Sequence, residues 1–262
     1  MNTKEQQSIT FENPPIEEIL CSVAFEPIAE LRTGHLGLLW QKFMPDFPLT
    51  GDQNVINPVP EGYYDNLDVP PLPRIWFEHK DANELIQMQC TRFIHNWRKR
   101  RPDDVYPGYP VVIGNFEKYL SCVKDFLSEA RLEDITATQY EIIYVDHILE
   151  HEGWETITDI EKVFPNFISL KGQNMLSTDI REFSWQMLFG LPNDFGQLQL
   201  SIQNSRRFID NRHLLRVEFR AVSNQPYKPM RGWFDLAHDA IFDLFTNLVS
   251  EEIQEQYWGK KL

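Results

Sequence analysis

The segment His213 to Val222, HLLRVEFRAV, places Leu215, Val217, Phe219 and Ala221 in alternation with Arg216, Glu218 and Arg220. Successive side chains of a strand point to opposite faces, so this period of two predicts a strand with one apolar and one charged face. Such a strand has to cover its apolar side, which an antiparallel sheet with a helix on one face does. The same alternation appears in IEEILCSVAF, residues 16–25, where Ile19, Cys21, Val23 and Phe25 share a side.

Helical spacings lie between and after these strands. Leu36, Leu39, Trp40 and Phe43 form one stripe, with Thr33 as a candidate N-cap and Pro45 as a stop. Phe116, Tyr119, Leu120, Val123, Phe126 and Leu127 form a second stripe within a helix predicted from about 114 to 130. Ala237, Ile241, Leu244 and Leu248, flanked by Trp233, Ala240, Phe245 and Val249, form a third within a closing helix predicted over 233–257. Strands are further predicted at 74–79, 84–96, 138–149, 182–189 and 196–203, with Lys80 to Asn83 as a hairpin turn and a short helix at 158–163. Residues 46–73, with Pro48, Pro58, Pro60, Pro70, Pro71 and Pro73, read as a long irregular connection. The expected class is α+β. Two similar halves, 1–134 and 135–262, each run strand, helix, strands, helix, with an antiparallel sheet packed by a long helix.

The totals exclude several function classes. A net charge of −14 over 262 residues argues against general nucleic-acid binding, which needs a positive footprint. Cys21, Cys90 and Cys122 are an odd, dispersed set without a C-x-x-C pair, which supports neither a disulfide framework nor a cysteine zinc site. The polar start MNTKEQQSITFENPP lacks the apolar core of a signal peptide, and no apolar run approaches the roughly 18 residues that span a bilayer. A cytoplasmic protein without membrane contact is expected. No nucleophile elbow, P-loop or dinucleotide fingerprint occurs, so no cofactor, metal or catalytic residue is assigned.

The histidines are the natural candidates for acid–base chemistry. Asp146 and His147 are neighbours on a strand and point to opposite faces, so this aspartate cannot orient this histidine. His238 falls beside the apolar stripe of the closing helix and reads as a hydrogen-bonded boundary residue. The seven tryptophans read mostly as core or interface anchors.

Against the acidic background one run is sharply basic: Arg98-Lys99-Arg100-Arg101, preceded by Arg92, His95 and Trp97. A second set, Arg206, Arg207 and Arg212, falls in a hairpin connection of the other half. If the halves are related by a pseudo-twofold, both loops join in one basic surface for an anion or acidic partner, with Trp97 available to stack on a base. The competing explanation is that these arginines pair with surplus carboxylates, as loop charges usually do.

Several ordered landmarks carry a resemblance. They are Asn13-Pro14-Pro15-Ile16-x-Glu18, Phe93-Ile94-x-Asn96-Trp97-Arg98 followed by Tyr106-Pro107-x-Tyr109, Tyr144-Val145-x-His147-Ile148, and Leu236-Ala237-His238-Asp239-x-Ile241-x-x-x-Phe245. Together they resemble a sporadically distributed family of uncharacterised bacterial proteins with an N-terminal N-P-P-hydrophobic-x-E segment. The family's patchy distribution is similar to that of genes on mobile elements, including phage-defence and toxin–antitoxin loci. The family brings no activity with it; the expected function, in the absence of a catalytic motif, is a non-enzymatic interaction or ligand-sensing protein accessory to such a locus, with another protein as partner and a homodimer left open. Two alternatives stand: a nucleic-acid-associated component acting through the basic loops, and an enzyme whose site is assembled from sequence-distant residues, with His147 or His238 as first suspects.

Overall fold

The computed structural model describes residues 9–56, 72–165, 180–207 and 210–261. Among them are the strands β1 (Thr10–Phe11), β2 (Ile16–Phe25), β3 (Leu49–Gln53), β4 (Arg74–Glu78), β5 (Glu84–Gln89), β6 (Arg92–Arg98), β7 (Ala137–Leu149), β8 (Ser184–Gly190), β9 (Gln197–Arg206), β10 (His213–Val222) and β11 (Lys260–Lys261). The helices are α1 (Thr33–Phe43), α2 (Tyr109–Glu129), α3 (Ile160–Val163), α4 (Met230–Leu248) and α5 (Glu251–Gln256). None is long and apolar enough to cross a membrane. The fold is mixed α+β.

Nine of these strands form one antiparallel sheet in the order β3-β4-β5-β6-β2-β7-β10-β9-β8. β2 and β7 meet in the middle. The strands of residues 49–98 extend to one side of this seam and those of residues 184–222 to the other. α2 lies on β2 and β6, α4 lies on β7 and β10, and α1 lies against β4 and α2. One apolar core runs beneath all three. Cys21, Val23, Phe93, Phe116, Ile142, Phe219, Phe234 and Ala237 are fully covered in it. Full burial of each aromatic or aliphatic side chain contributes about 1.5–3 kcal/mol. The two-stranded ribbon of β1 and β11 ties the N-terminal segment to the C-terminus, where Phe11 meets Phe242, Phe245 and Trp258.

The elements differ from expectation where periodicity is uninformative. The strand predicted over 84–96 is two strands, β5 and β6, joined by a turn at Cys90-Thr91. Residues 85–97 are all buried, so no alternation marks that turn. It is held by backbone bonds from Phe25 N–H to Thr91 O (2.9 Å) and Ile28 N–H to Cys90 O (3.1 Å). The helix predicted over 233–257 breaks at Val249 and Ser250, which are extended; the Ser250 hydroxyl caps α5 by accepting from the Ile253 N–H. Ile253 returns to the same core, so the apolar stripe continues across the break. α2 starts five residues earlier than predicted, with Pro110 in its first turn, where a missing N–H costs no helical bond. The proline-rich connection contains β3; Pro58, Pro60, Pro70 and Pro71 lie outside the described residues.

Candidate functional site

The sequence motif at residues 13–18 builds a wall. Pro15 O accepts from the His147 N–H at 2.9 Å, which docks the start of β2 onto β7. A bulge follows between Ile16 and Glu18, so Glu17 is the extra residue. Its carbonyl accepts from the Lys99 N–H at 2.8 Å. The Glu18 carboxylate accepts from the Asn96 side chain at 2.6 Å, and burial raises its pKa.

Two cavities share this wall. The first, of about 510 Å³, lies between the N-terminal segment, the 106–110 loop, β7, β10 and α4. Phe11, Phe219, Ile241, Phe242 and Phe245 give it an apolar lining, and Tyr106, Tyr109, Tyr144, Asp146 and His238 supply the polar groups. The second, of about 610 Å³, is lined by the 99–105 loop with Glu17, His147, Glu152, Arg207 and Asp210. Glu12, Pro14, Ile16 and Tyr106 belong to both linings. The cavities are therefore neighbours separated by four side chains.

The alternation of β7 explains the polar floor of the first cavity. Tyr140, Ile142, Tyr144, Asp146 and Ile148 share the helix-covered face, so one carboxylate is carried into an apolar layer. Asp146 is 3% exposed, its Oδ1 has no hydrogen-bond partner, and burial pushes its carboxyl up to about 7. The buried Tyr106 hydroxyl has no well-aligned partner, its neighbour being the Tyr144 hydroxyl. His238 is held instead. Its Nδ1 lies 2.8 Å from the Tyr144 hydroxyl, and its ring stacks on Tyr109 at 3.9 Å between centroids. Burial lowers its pKa to about 4, so it is neutral at pH 7. Tyr109 in turn donates to Asp235 at 2.8 Å. The expected hydrogen-bonded boundary histidine is thus an oriented wall of a cavity.

Of the predicted basic residues, the structure brings together Lys99, Arg100, Arg101 and Arg207 around the second cavity. Arg207 is paired there with Asp210 through two contacts. The backbone N–H groups of Arg100 and Arg101 both donate to Asp104 at 2.8 Å, which shapes the loop and leaves their side chains free of that carboxylate. The others are elsewhere or engaged. Arg98 pairs with Glu78 at 3.3 Å and lies over Trp76. Arg212 donates to Glu150 O at 2.8 Å, and Arg206 to Asn211 O at 3.3 Å. Arg92, 8% exposed, is bonded to Glu141 at 2.7 Å on the far part of the sheet. Trp97 is 3% exposed and meets Tyr106 edge-on, because its position on β6 faces the helices; it offers no surface for stacking a base.

The second cavity is not purely basic. Glu12, Glu17, Asp103, Asp104, Glu152 and Asp210 also line it. Burial raises the pKa of Glu17 and Glu152, against the opposing pull of Lys99 and Arg207, and lowers that of His147 to about 4. Among the described residues no group of three His, Cys, Asp or Glu could hold a metal ion. Sequence reasoning missed Asp146, Tyr106, Tyr109 and Tyr144 as site residues. The available signal was an acid in register with Tyr144 and Ile148 on the apolar side of a strand. No protein-family model matches the chain, and no curated protein matches it.

Proposed function

We propose that this is a ligand-sensing protein whose ligand occupies both cavities, with an apolar, aromatic body in the first and an anionic group in the second. The observation that carries this is their adjacency: an aromatic chamber with an unpartnered buried carboxylate opens beside a loop bearing Lys99, Arg100 and Arg101. The first has the volume of ordinary small-molecule sites, which run to roughly 300–1,000 Å³ with apolar walls and few polar groups. Its histidine and carboxylate also keep the enzymatic alternative in view. Asp146, titrating near 7, is the group in it suited to accept a proton.

Two further expectations join this proposal. The chain is made of two related halves meeting at the β2–β7 seam; the mirrored strand order on either side of that seam supports it. Membership of the N-P-P-hydrophobic-x-E family, and with it an accessory role at a mobile defence or toxin–antitoxin locus, is supported by the sequence landmarks. Their residues Pro14, Ile16, Tyr106, Tyr109, Tyr144, His238, Ile241 and Phe245 line the first cavity.

Calorimetric titration with nucleoside monophosphates, as soluble aromatic anions, tests the binding reading. The triple variant Lys99→Ser, Arg100→Ser, Arg101→Ser is expected to weaken binding about tenfold or more, since charge-assisted bonds are worth roughly 1.5–3 kcal/mol each. Unchanged affinity in the variant, or no binding to the native chain, rejects it. A labelled oligonucleotide bound more tightly than the monophosphates, with a steep salt dependence, favours the nucleic-acid alternative.

A further inference from the structure

The polar groups of the first cavity are unevenly satisfied, and the unevenness is informative. His238 and Tyr144 hold one another and Tyr109 donates to Asp235, so each already has a partner within the protein. Asp146 Oδ1 is buried, lines the same cavity and has no partner, and the Tyr106 hydroxyl beside that lining has no well-aligned one, with only the Tyr144 hydroxyl near it. Leaving such groups unpaired is costly, and a bound water, ion or ligand is one means by which native proteins supply the partner. A carboxylate accepts and does not donate when ionised, so its missing partner is a donor. The Tyr106 hydroxyl, on the lining of the same cavity, can donate to an acceptor on the same ligand.

We propose that Asp146 and Tyr106 read the edge of a planar heterocycle that presents N–H donors next to a carbonyl acceptor, as a guanine-type base does. This rests on the preceding proposal that the cavities share an aromatic anion, and it names the ligand class as a purine nucleotide of the 6-oxo type. The base lies among Phe11, Phe242, Phe245 and Tyr106, and its phosphate reaches the Lys99–Arg101 loop across the Pro14 and Ile16 wall. A base offering a ring acceptor in place of N–H would set a lone pair against the carboxylate. Sites built to bond a donor reject analogues that lack it far more strongly than apolar pockets reject a changed shape.

The test compares GMP, AMP and inorganic phosphate on the native chain and on Asp146→Asn at pH 8, by calorimetry. GMP is expected to bind at least about tenfold tighter than AMP, and Asp146→Asn to erase that preference while AMP binding changes little. Equal binding of GMP and AMP to the native chain, or a preference that survives Asp146→Asn, overturns the base-reading role and leaves the shared-cavity proposal standing. If neither nucleotide binds, both fail. Tyr106→Phe supplies a second variant should Asp146→Asn not fold: it is expected to lower GMP affinity severalfold without altering the affinity for phosphate, and unchanged GMP affinity counts against the proposal.

Discussion

Two buried carboxylates on opposite faces of the sheet, Glu141 and Asp146, are treated in opposite ways. On the face away from the helices, Glu141 accepts from Arg92 at 2.7 Å and from Arg220 at 2.5 Å, and Arg92 also donates to Ser22 at 3.3 Å. Beside it, Gln87 donates to Asn96 at 2.7 Å, and Asn96 donates to Glu18 at 2.6 Å. On the helix-covered face Asp146 is as deeply buried, one strand position out of phase, and its Oδ1 has nothing to bond. Both arrangements cost desolvation. Only the first recovers it within the chain.

The largest expected effect comes from breaking the satisfied cluster. Glu141→Ala removes the carboxylate shared by two arginines and leaves Arg92 charged and buried. It should destabilise the protein by about 3–5 kcal/mol in urea unfolding. A loss below about 1 kcal/mol would show that solvent already compensates Arg92.

Asp146→Asn should act in the opposite direction, by an amount that grows as pH rises from about 4 to about 7 and is constant above it. The folded-state carboxyl is raised to about 7 from an ordinary value of 3.8. Folding therefore retains a proton between those limits, and the stability this lends is lost as pH rises towards and through about 7. The variant should be more stable than the native chain by up to about 4 kcal/mol at pH 8, at about 1.4 kcal/mol per pKa unit, with the difference vanishing by pH 4. His147 and His238, both lowered to about 4, push the other way: their contribution is lost as pH falls through about 6.5 towards 4. They act equally in both proteins, so the difference between the two pH curves isolates Asp146. A pH-independent difference would place a partner on the carboxylate.

The smallest effect on stability belongs to the basic loop. The Lys99, Arg100 and Arg101 triple serine variant should unfold within about 0.5 kcal/mol of the native chain, because substitutions at side chains free of specific contacts are nearly neutral. A loss above about 1.5 kcal/mol would make the loop a structural clasp between β2 and β6 instead of a binding surface.

Much of the fold was legible. β2 falls at residues 16–25 and β10 at 213–222, as predicted, because each has one dry and one wet face and its own period reports it. β5 and β6 were merged, since strands buried on both faces carry no period. The site was legible in part. The loop arginines stood out by charge, yet charge alone could not separate Arg100 and Arg101 from Arg92 and Arg98, which are bonded inside. Asp146 is inconspicuous beside His147, because its chemistry depends on the strand face on which it lies and not on its sequence neighbour.

The chain's local patterns were enough to specify an α+β class, the type of nearly every element and the surplus of positive charge at 98–101. These follow from interactions between residues a few positions apart, which periodicity records. Tertiary structure alone decided that β2 and β7 form the central seam, that Trp97 turns inward, and that Tyr106, Asp146 and His238 meet in one cavity. The seam and the cavity join residues about 40 to 130 positions apart. Whether a polar group there has a partner depends on chain segments that carry no trace of one another in sequence.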